Sequence, residues 1–253
     1  MSKRKGPETL QEQADALVRL QGGSELERQL IETPVGRVED HSEGANATFW
    51  VKLEDGTECF HKPIYGTDAT VCFSYGQDPD EPSIHEVAAW RLASGLGAPA
   101  SDLVAPCVLR TVGDAVGALS LRFDGADADR DDFEDIAAQV YFAGFFDALV
   151  GQQDRHLGNV RHAIEAGRLG LFDHGFAFAR PGDLLNASEL LGWRRLEGVL
   201  GLRDDEIAAL DTLLGSTDLL GVATVLSAER IDALEIRARR MQASGRVLKE
   251  GEF

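Results

Sequence analysis

The sequence has little cysteine and no long apolar run. Its 253 residues include three cysteines, Cys59, Cys72 and Cys107, with no C-x-x-C pair and no even number to suggest a disulfide framework. No segment approaches the roughly 18 to 20 apolar residues of a membrane span, and the N-terminal segment lacks an apolar run of signal-peptide length. We therefore expect a chain without a membrane span that works in the reducing cytoplasm.

Basic residues are scarce relative to acidic ones. The chain has 25 Lys and Arg against 43 Asp and Glu, which gives a formal net charge of -18. Like charges repel at long range, so the phosphates of nucleic acids and of anionic lipids are disfavoured as partners. We expect no nucleic-acid partner, and a neutral or basic molecule fits this charge better.

The first half of the chain mixes strand and helix patterns. Residues 8–20 have helical spacing, and residues 33–63 alternate as a hairpin that turns at the sequence E-D-G. Residues 82–99 form a well-delimited helical pattern, for which Ser83 is the predicted N-cap. Two extended runs within 102–123, separated by G-D, predict a second hairpin.

The second half is predominantly helical. An acidic connector at 124–135 leads to an apolar helical pattern over 133–150, which Gly151 ends. Further helical patterns follow toward the C-terminus. Strands around one helix, followed mostly by helices, predict an α+β fold.

The segment 151–178 places polar side chains among apolar residues and glycines. Apolar and polar residues alternate over 160–172 and the run turns at E-A-G, which predicts a small hairpin. The polar groups flank this hairpin at its two ends. Asp154, Asn159 and Asp173 are then expected to converge on one point. Two carboxylates and an amide oxygen form a hard-oxygen set suited to Mg²⁺ carrying a phosphate, with one carboxylate left to take a proton.

The motif D-R-H-L-G-N at 154–159, followed by F-D-H-G, resembles the catalytic and metal loops of the atypical kinases, namely the phosphatidylinositol 3- and 4-kinases and the HipA-like kinases. The resemblance covers about residues 45–180. It implies a two-lobed, protein-kinase-like fold with a strand-rich N-lobe and a helical C-lobe, which hold ATP and Mg²⁺ between them. The predicted parts are an N-terminal helical extension (1–32), the N-lobe (33–123) and the C-lobe with a C-terminal tail (124–253).

This resemblance assigns expected roles to four residues of the two motifs. Asp154 matches the catalytic Asp that accepts or orients the proton of the acceptor hydroxyl, and His156 matches the histidine of D-R-H. Asn159 and Asp173 match the two Mg²⁺ ligands. The implied reaction transfers the γ-phosphoryl group of ATP to a hydroxyl of a protein Ser/Thr or of a small molecule. By itself, the first motif also fits a polar turn in which Arg155 pairs with an acid.

Three upstream residues complete the expected nucleotide site. By the same resemblance Lys62 contacts the α- and β-phosphates, Glu86 is its helix-borne partner, and Phe123 forms a wall for adenine. Two structural alternatives stay open. Ser83 and Glu86 also match an S-x-x-E capping box, and a strand-end lysine commonly keeps its amine in water.

Several features depart from the protein-kinase pattern. No G-x-G-x-x-G precedes Lys62, only S-E-G-A-N-A-T-F-W at 42–50, and D-H-G replaces D-F-G. A nucleotide-binding pseudokinase or regulatory module, and a nucleotidyl (AMP) transferase on the same fold, are therefore alternatives. Zinc catalysis by the nearby histidines is disfavoured because H-E-x-x-H is absent. The acidic run 124–135 is either a solvated connector or a rim that attracts a basic substrate.

Overall fold

A computed structural model of the chain describes residues 9–41, 46–181, 183 and 188–248. The chain begins with two helices, α1 (Leu10–Leu20) and α2 (Glu25–Glu32), each opened by a capping box. The helix predicted for 8–20 is thus confirmed. Two segments discussed above lie outside the described residues. They are residues 42–45, from the segment 42–50 that lacks G-x-G-x-x-G, and residues 249–253, most of the C-terminal tail.

A five-stranded antiparallel sheet forms the upper lobe, which corresponds to the predicted strand-rich N-lobe. Its strands lie in the order β1-β2-β3-β5-β4. Both predicted hairpins are confirmed, as β2–β3 and β4–β5. In this register Lys62 is opposite Ala118, and the neighbouring Gly117 approaches the Lys62 carbonyl so closely that a Cβ would not fit. The strands are β1 (Val35–Asp40), β2 (Phe49–Leu53), β3 (Glu58–Pro63), β4 (Cys107–Val112) and β5 (Ala115–Leu121).

Three helices connect β3 to β4, namely α3 (Ala69–Ser74), α4 (Glu81–Leu96) and α5 (Ala100–Leu103). Helix α4 has Asp80 at its N-cap and Pro82 in its first turn, where proline is favoured. Ser83 therefore lies inside the helix, and its prediction as N-cap is wrong. The Ser83 hydroxyl instead donates to the carbonyl of Lys62 at 2.9 Å, which ties α4 to the end of β3.

The lower lobe, which corresponds to the predicted C-lobe, combines a small sheet with helices. The sheet order is β6-β7-β8, and β7–β8 is the hairpin predicted for 160–172. Gly151 ends the long apolar helix in a left-handed conformation, with φ of 63°, as predicted. The elements are β6 (Ala126–Asp127), α6 (Ala137–Val150), β7 (Val160–Ala163), β8 (Arg168–Leu171), α7 (Glu189–Leu196), α8 (Asp204–Gly215) and α9 (Ala228–Ser244), with 3-10 turns at Arg130–Phe133, Leu157–Asn159, Ile164–Ala166 and Val222–Thr224.

Two hydrophobic cores support these layers. The smaller one lies between the large sheet and α2, and it includes Leu30, Val51 and Leu119. The larger one is continuous from α1 and α4 through α6 to α8 and α9. Each fully buried Leu or Phe contributes roughly 1.5–3 kcal/mol. The larger core also includes Cys107 and Leu109 of β4 and Ala118 of β5, so helix α4 packs between the large sheet and the helices of the lower lobe.

The large sheet ends at Leu121 and the small one begins at Ala126, on either side of the predicted boundary at 123/124. The division of the chain at 32/33 and 123/124 stays a prediction. No helix in the described ranges combines the length and apolarity needed to cross a membrane.

Candidate active site

Lys62 lies between two carboxylates. Its Nζ is 2.7 Å from Oε1 of Glu86 on α4 and 2.8 Å from Oδ1 of Asp173, just beyond β8. The side chains are 19%, 5% and 24% exposed, respectively. Neither structural alternative for the upstream residues holds, because Lys62 does not keep its amine in bulk water and Glu86 does not cap α4.

Helix α4 also holds the backbone of the D-H-G segment. The second oxygen of Glu86 accepts a 2.8 Å hydrogen bond from the His174 backbone N–H. The adjacent His85 has its Nδ1 3.1 Å from the Gly175 carbonyl. Asp173 has a φ of 58°, which is uncommon for a residue other than glycine and recurs at functional sites. Two neighbouring residues of one helix turn thus hold two neighbouring peptides of this segment.

The three ionisable groups shift one another's pKa values. Burial acts to lower the pKa of Lys62, but the charges of Asp173 and Glu86 outweigh it and raise this pKa above its usual value. Burial acts to raise the pKa of Asp173, but Lys62 outweighs it and the pKa falls below its usual value. Burial raises the pKa of Glu86 despite Lys62. Asp173 is therefore the stronger acid of the two carboxylates beside the lysine.

Arg155 fixes the loop between α6 and β7. Its Nε lies 3.2 Å from both carboxylate oxygens of Asp147 on α6, and its Nη1 donates to the carbonyls of Asn159 and Phe172. The Ser188 hydroxyl completes the network with a 2.7 Å hydrogen bond to Asp147. The pairing of Arg155 with an acid, one part of the polar-turn alternative, is present. Because the same guanidinium donates to a carbonyl in each motif, it also links the loop that carries Asp154 to the segment that carries Asp173.

Asp154 and Asn159 lie in this loop and contact each other. The Asn159 amide donates to the Asp154 carbonyl at 3.0 Å, which directs its oxygen Oδ1 away from that carbonyl. The Asp154 carboxylate accepts a 3.1 Å hydrogen bond from the Tyr75 hydroxyl. Burial raises the pKa of Asp154, although the Tyr75 hydrogen bond opposes this shift. Asp154 therefore has a higher proton affinity than an exposed aspartate, and its role as proton acceptor stays a prediction.

His156 projects outward from the same loop and is exposed. A Cβ at Gly158 would come within 2.8 Å of the imidazole ring, so the glycine makes room for the ring. The charge of a protonated His156 acts to lower the pKa of Asp154, but no hydrogen bond joins the two described side chains. A catalytic role for His156 stays a prediction.

A cavity of about 570 Å³ opens between the lobes. Trp50, Phe60 and Leu121 line its upper side, and Phe172 lines its lower side. Lys62 and Asp173 form a polar end, and the backbone of 120–123 passes along the wall. The volume and the few convergent polar groups are typical of a small-molecule pocket.

Phe123 lines this cavity. Its ring packs against Gly170 of β8, where a Cβ would collide with it. The Arg168 guanidinium lies over the ring, 4.6 Å from its centroid. Contact with adenine stays a prediction.

The oxygen donors in the cleft fit a hard divalent cation. Mg²⁺ typically takes one or two protein carboxylate or amide oxygens and completes its octahedron with phosphate oxygens and water. Asp173 and Asn159 would supply such a pair, and their role as metal ligands stays a prediction. Within the described residues, no group of three or more His, Cys, Asp and Glu side chains is arranged to hold a metal ion.

Sequence reasoning missed three residues of this site. Tyr75 is in the short helical connection before α4, Asp147 is on α6, and His85 precedes Glu86. Of these three residues, only Asp147 could have been found from the sequence. It is a charged residue in a predominantly apolar helix, and a buried charge requires a partner.

Comparison with known proteins gives a fold. No family model matches the sequence, and no curated protein sequence matches it. A crystal structure of the Golgi casein kinase aligns over 86% of this chain and 74% of that chain, with a TM-score of 0.54 and 14% identity. Its form with Mn/ADP bound aligns over the same shares, with a TM-score of 0.55 and 14% identity. The proinflammatory kinase CtkA of Helicobacter pylori aligns over 86% of this chain and 95% of its own, with a TM-score of 0.45 and 13% identity.

At this level of identity, the likeness to the Golgi casein kinase establishes the architecture. The narrower resemblance to the phosphatidylinositol 3-/4-kinases and the HipA-like kinases stays a prediction. The chain has the two-lobed, kinase-like α+β fold, with a strand-rich N-lobe and a helical C-lobe, that its motifs predicted.

Proposed function

We propose that this chain is an ATP- and Mg²⁺-dependent phosphotransferase that moves the γ-phosphoryl group to a hydroxyl acceptor. The proposal rests chiefly on one arrangement. Lys62 bridges Glu86 and Asp173 at the polar end of the interlobe cavity, and the loop beside it carries Asp154 and Asn159. Phosphoryl transfer in kinases requires this division of labour among a lysine, its glutamate, two metal ligands and a carboxylate for the acceptor.

The cavity suits a nucleotide. Its apolar upper side and Phe172 favour a flat base, and the backbone of 120–123 offers hydrogen-bonding groups to the base edge. The triphosphate then extends toward Lys62. The Mn/ADP bound by the Golgi casein kinase, a protein of similar fold, supports this assignment.

The side chains divide the work of transfer. Asp154 accepts the proton of the acceptor hydroxyl, Lys62 contacts the α- and β-phosphates, and Glu86 holds Lys62. Asp173 and Asn159 would hold Mg²⁺, which when bound neutralises charge on the phosphates. Because the reaction involves little covalent work by the protein, positioning and electrostatics supply most of the catalysis.

The acceptor is a protein Ser/Thr or a small molecule that carries a hydroxyl. The acidic segment 124–135 exposes several carboxylates, including Asp124, Asp131 and Asp135. A basic acceptor would be attracted to them. Replacing these three by Asn should raise the acceptor KM and reduce its dependence on salt. An unchanged KM and salt dependence would leave the segment as a solvated connector.

The function is tested with ATP labelled separately at the α and γ positions, in the presence of Mg²⁺. We expect γ-label on a hydroxyl acceptor with wild type and none with Asp173→Asn. Asp232→Asn, on the exposed face of α9, is the matched control and should behave as wild type.

The other outcomes separate the alternatives. Transfer of α-label would establish a nucleotidyl transferase. ATP binding without transfer or hydrolysis, across a broad panel of hydroxyl acceptors, would favour a pseudokinase. Failure to bind ATP would overturn the proposal.

A further inference from the structure

Tyr75 places a hydroxyl on the candidate catalytic carboxylate. Its phenol donates a 3.1 Å hydrogen bond to Oδ1 of Asp154, and its ring packs against that of Phe176 at an angle of 32°, with centroids 4.4 Å apart. The reaction proposed above removes a proton from a hydroxyl in this position. Asp154 therefore already contacts a group of the required chemistry, and that group belongs to the chain itself.

The segment that carries Tyr75 is attached to the lower lobe. The Gly76 carbonyl accepts hydrogen bonds from Arg180 and Arg230, and the Gln77 side-chain amide donates to the Ala177 carbonyl at 3.3 Å. Helix α3 has only six residues, so such contacts, rather than helix stability, set its position. They hold the phenol against the loop that bears Asp154.

Neighbouring hydroxyls are placed differently. The Ser74 hydroxyl donates to the Val71 carbonyl of its own helix at 2.7 Å and is exposed. Tyr65 is 67% exposed and lines a separate groove with α1 and β5. These residues lie close to Tyr75 in sequence, but within the described residues neither of their hydroxyls forms a hydrogen bond with Asp154. They provide internal controls for a site-specific reaction.

We propose that Tyr75 is an intramolecular phosphoryl acceptor, that is, an autophosphorylation site; this inference rests on the proposed function. In the step, the phenolic O–H proton moves to the Asp154 carboxylate, and the phenolic oxygen bonds to the γ-phosphorus of ATP. The bond between that phosphorus and the β,γ-bridging oxygen breaks, and its electron pair leaves with ADP. The products are phosphotyrosine, ADP and one proton. An external acceptor has to displace the Tyr75 phenol before Asp154 can take its proton.

The test uses the full chain with Mg²⁺ and γ-labelled ATP, over a wide range of protein concentrations, with peptide mapping by mass spectrometry. We expect label on Tyr75, and the fraction labelled per minute should not depend on protein concentration. Tyr75→Phe keeps the ring on Phe176 but should lose the label, whereas Tyr65→Phe and Ser74→Ala should retain it. ADP formation and transfer to an added mixture of hydroxyl-bearing peptides are measured in parallel.

The outcomes separate this inference from the proposed function. ADP formation with labelled peptides but no label on Tyr75 would overturn the inference and leave the phosphotransferase intact. Label on Tyr75 at a rate that rises with protein concentration would show transfer between molecules and overturn the intramolecular step. Bound nucleotide with neither ADP nor label would overturn both.

Discussion

The two sides of the cleft hold their polar groups in different ways. On the side that we propose binds the nucleotide, here called the nucleotide side, Lys62 forms ion pairs of 2.7 and 2.8 Å with Glu86 and Asp173. On the side that we propose binds the acceptor, here called the acceptor side, Asp154 accepts a hydrogen bond from the Tyr75 phenol. The first side is charge-paired before any ligand arrives. The second contacts a hydroxyl, which an acceptor hydroxyl is able to replace.

We expect this difference to separate the effects of substitutions on nucleotide binding from their effects on phosphoryl transfer. A buried charge is stable only with its partners, so changes on the nucleotide side should affect ligand binding and chemistry together. The hydrogen bond from the uncharged Tyr75 phenol to Asp154 is not an ion pair and is open to exchange with another hydroxyl, so changes on the acceptor side should affect transfer with little effect on nucleotide affinity. The following predictions test this separation from the largest effect to the smallest.

Asp173→Asn should produce the largest loss. The substitution keeps the shape of the side chain but removes the carboxylate that pairs with Lys62 and would hold Mg²⁺. We expect γ-phosphoryl transfer to fall about 10³-fold, as when a charge-stabilising group is removed from an active site. The affinity for a fluorescent ATP analogue should also lose its enhancement by Mg²⁺. Transfer at the wild-type rate would contradict the assignment of Asp173.

Asp154→Asn should slow transfer about 10²-fold, in the range of general base catalysis. Nucleotide affinity should stay at the wild-type value, because Asp154 lies outside the paired charges around Lys62. Titration with the same ATP analogue gives the affinity, and labelled ATP gives the rate. A parallel fall in affinity and rate would show that the two sides of the cleft are not separate.

The sequence predicts the parts of this cleft that depend on local signals. The hairpin turns, the end of α6 at Gly151 and the two motifs of the lower lobe are set by residues close together in the chain. Lys62, Glu86 and Asp173 meet because strand, helix and loop follow in the expected order. These elements were therefore available without tertiary information.

The same local signals fail where tertiary contacts decide. Ser24–Glu27 and Ser83–Glu86 share the S-x-x-E pattern, but the first forms a capping box and the second does not. Pro82 moves the start of α4 upstream, and Glu86 then pairs with Lys62. Tyr75 was missed because α3 is too short for a periodic pattern, and its contacts cross about 80 residues of chain.

A substitution at Glu27 tests whether ATP binding on the nucleotide side depends on the N-terminal helices. Its buried carboxylate accepts hydrogen bonds from Trp90 Nε1 at 2.9 Å and Arg91 Nη1 at 3.2 Å, one turn beyond Glu86 on α4. Glu27→Gln removes the charge-assisted contacts and should lower the free energy of unfolding by about 2 kcal/mol. Denaturant titration measures this loss.

We expect the same variant to weaken ATP binding and to leave the acceptor KM unchanged, because α4 carries Glu86 but not Asp154. Glu25→Gln, on the exposed part of the same helix, is the matched control. If the acceptor KM rises instead, α2 supports the acceptor side and the comparison between the two sides needs revision.

His85 gives the smallest effect, on the pH dependence of stability. Burial lowers its pKa to about 3 in the folded chain, whereas an unfolded histidine titrates near 6.5. Between these values the unfolded chain binds the extra proton, so this residue lowers the stability as the pH falls below about 6.5 and has no effect above it. His85→Gln keeps a donor for the Gly175 carbonyl but cannot take up a proton. Urea titrations from pH 7 to pH 5 should therefore show a shallower loss of stability in the variant, by about 1 kcal/mol per pH unit. Equal slopes for the two proteins would mean that His85 takes up a proton in the folded state, and that its contact with the D-H-G segment does not require the neutral ring.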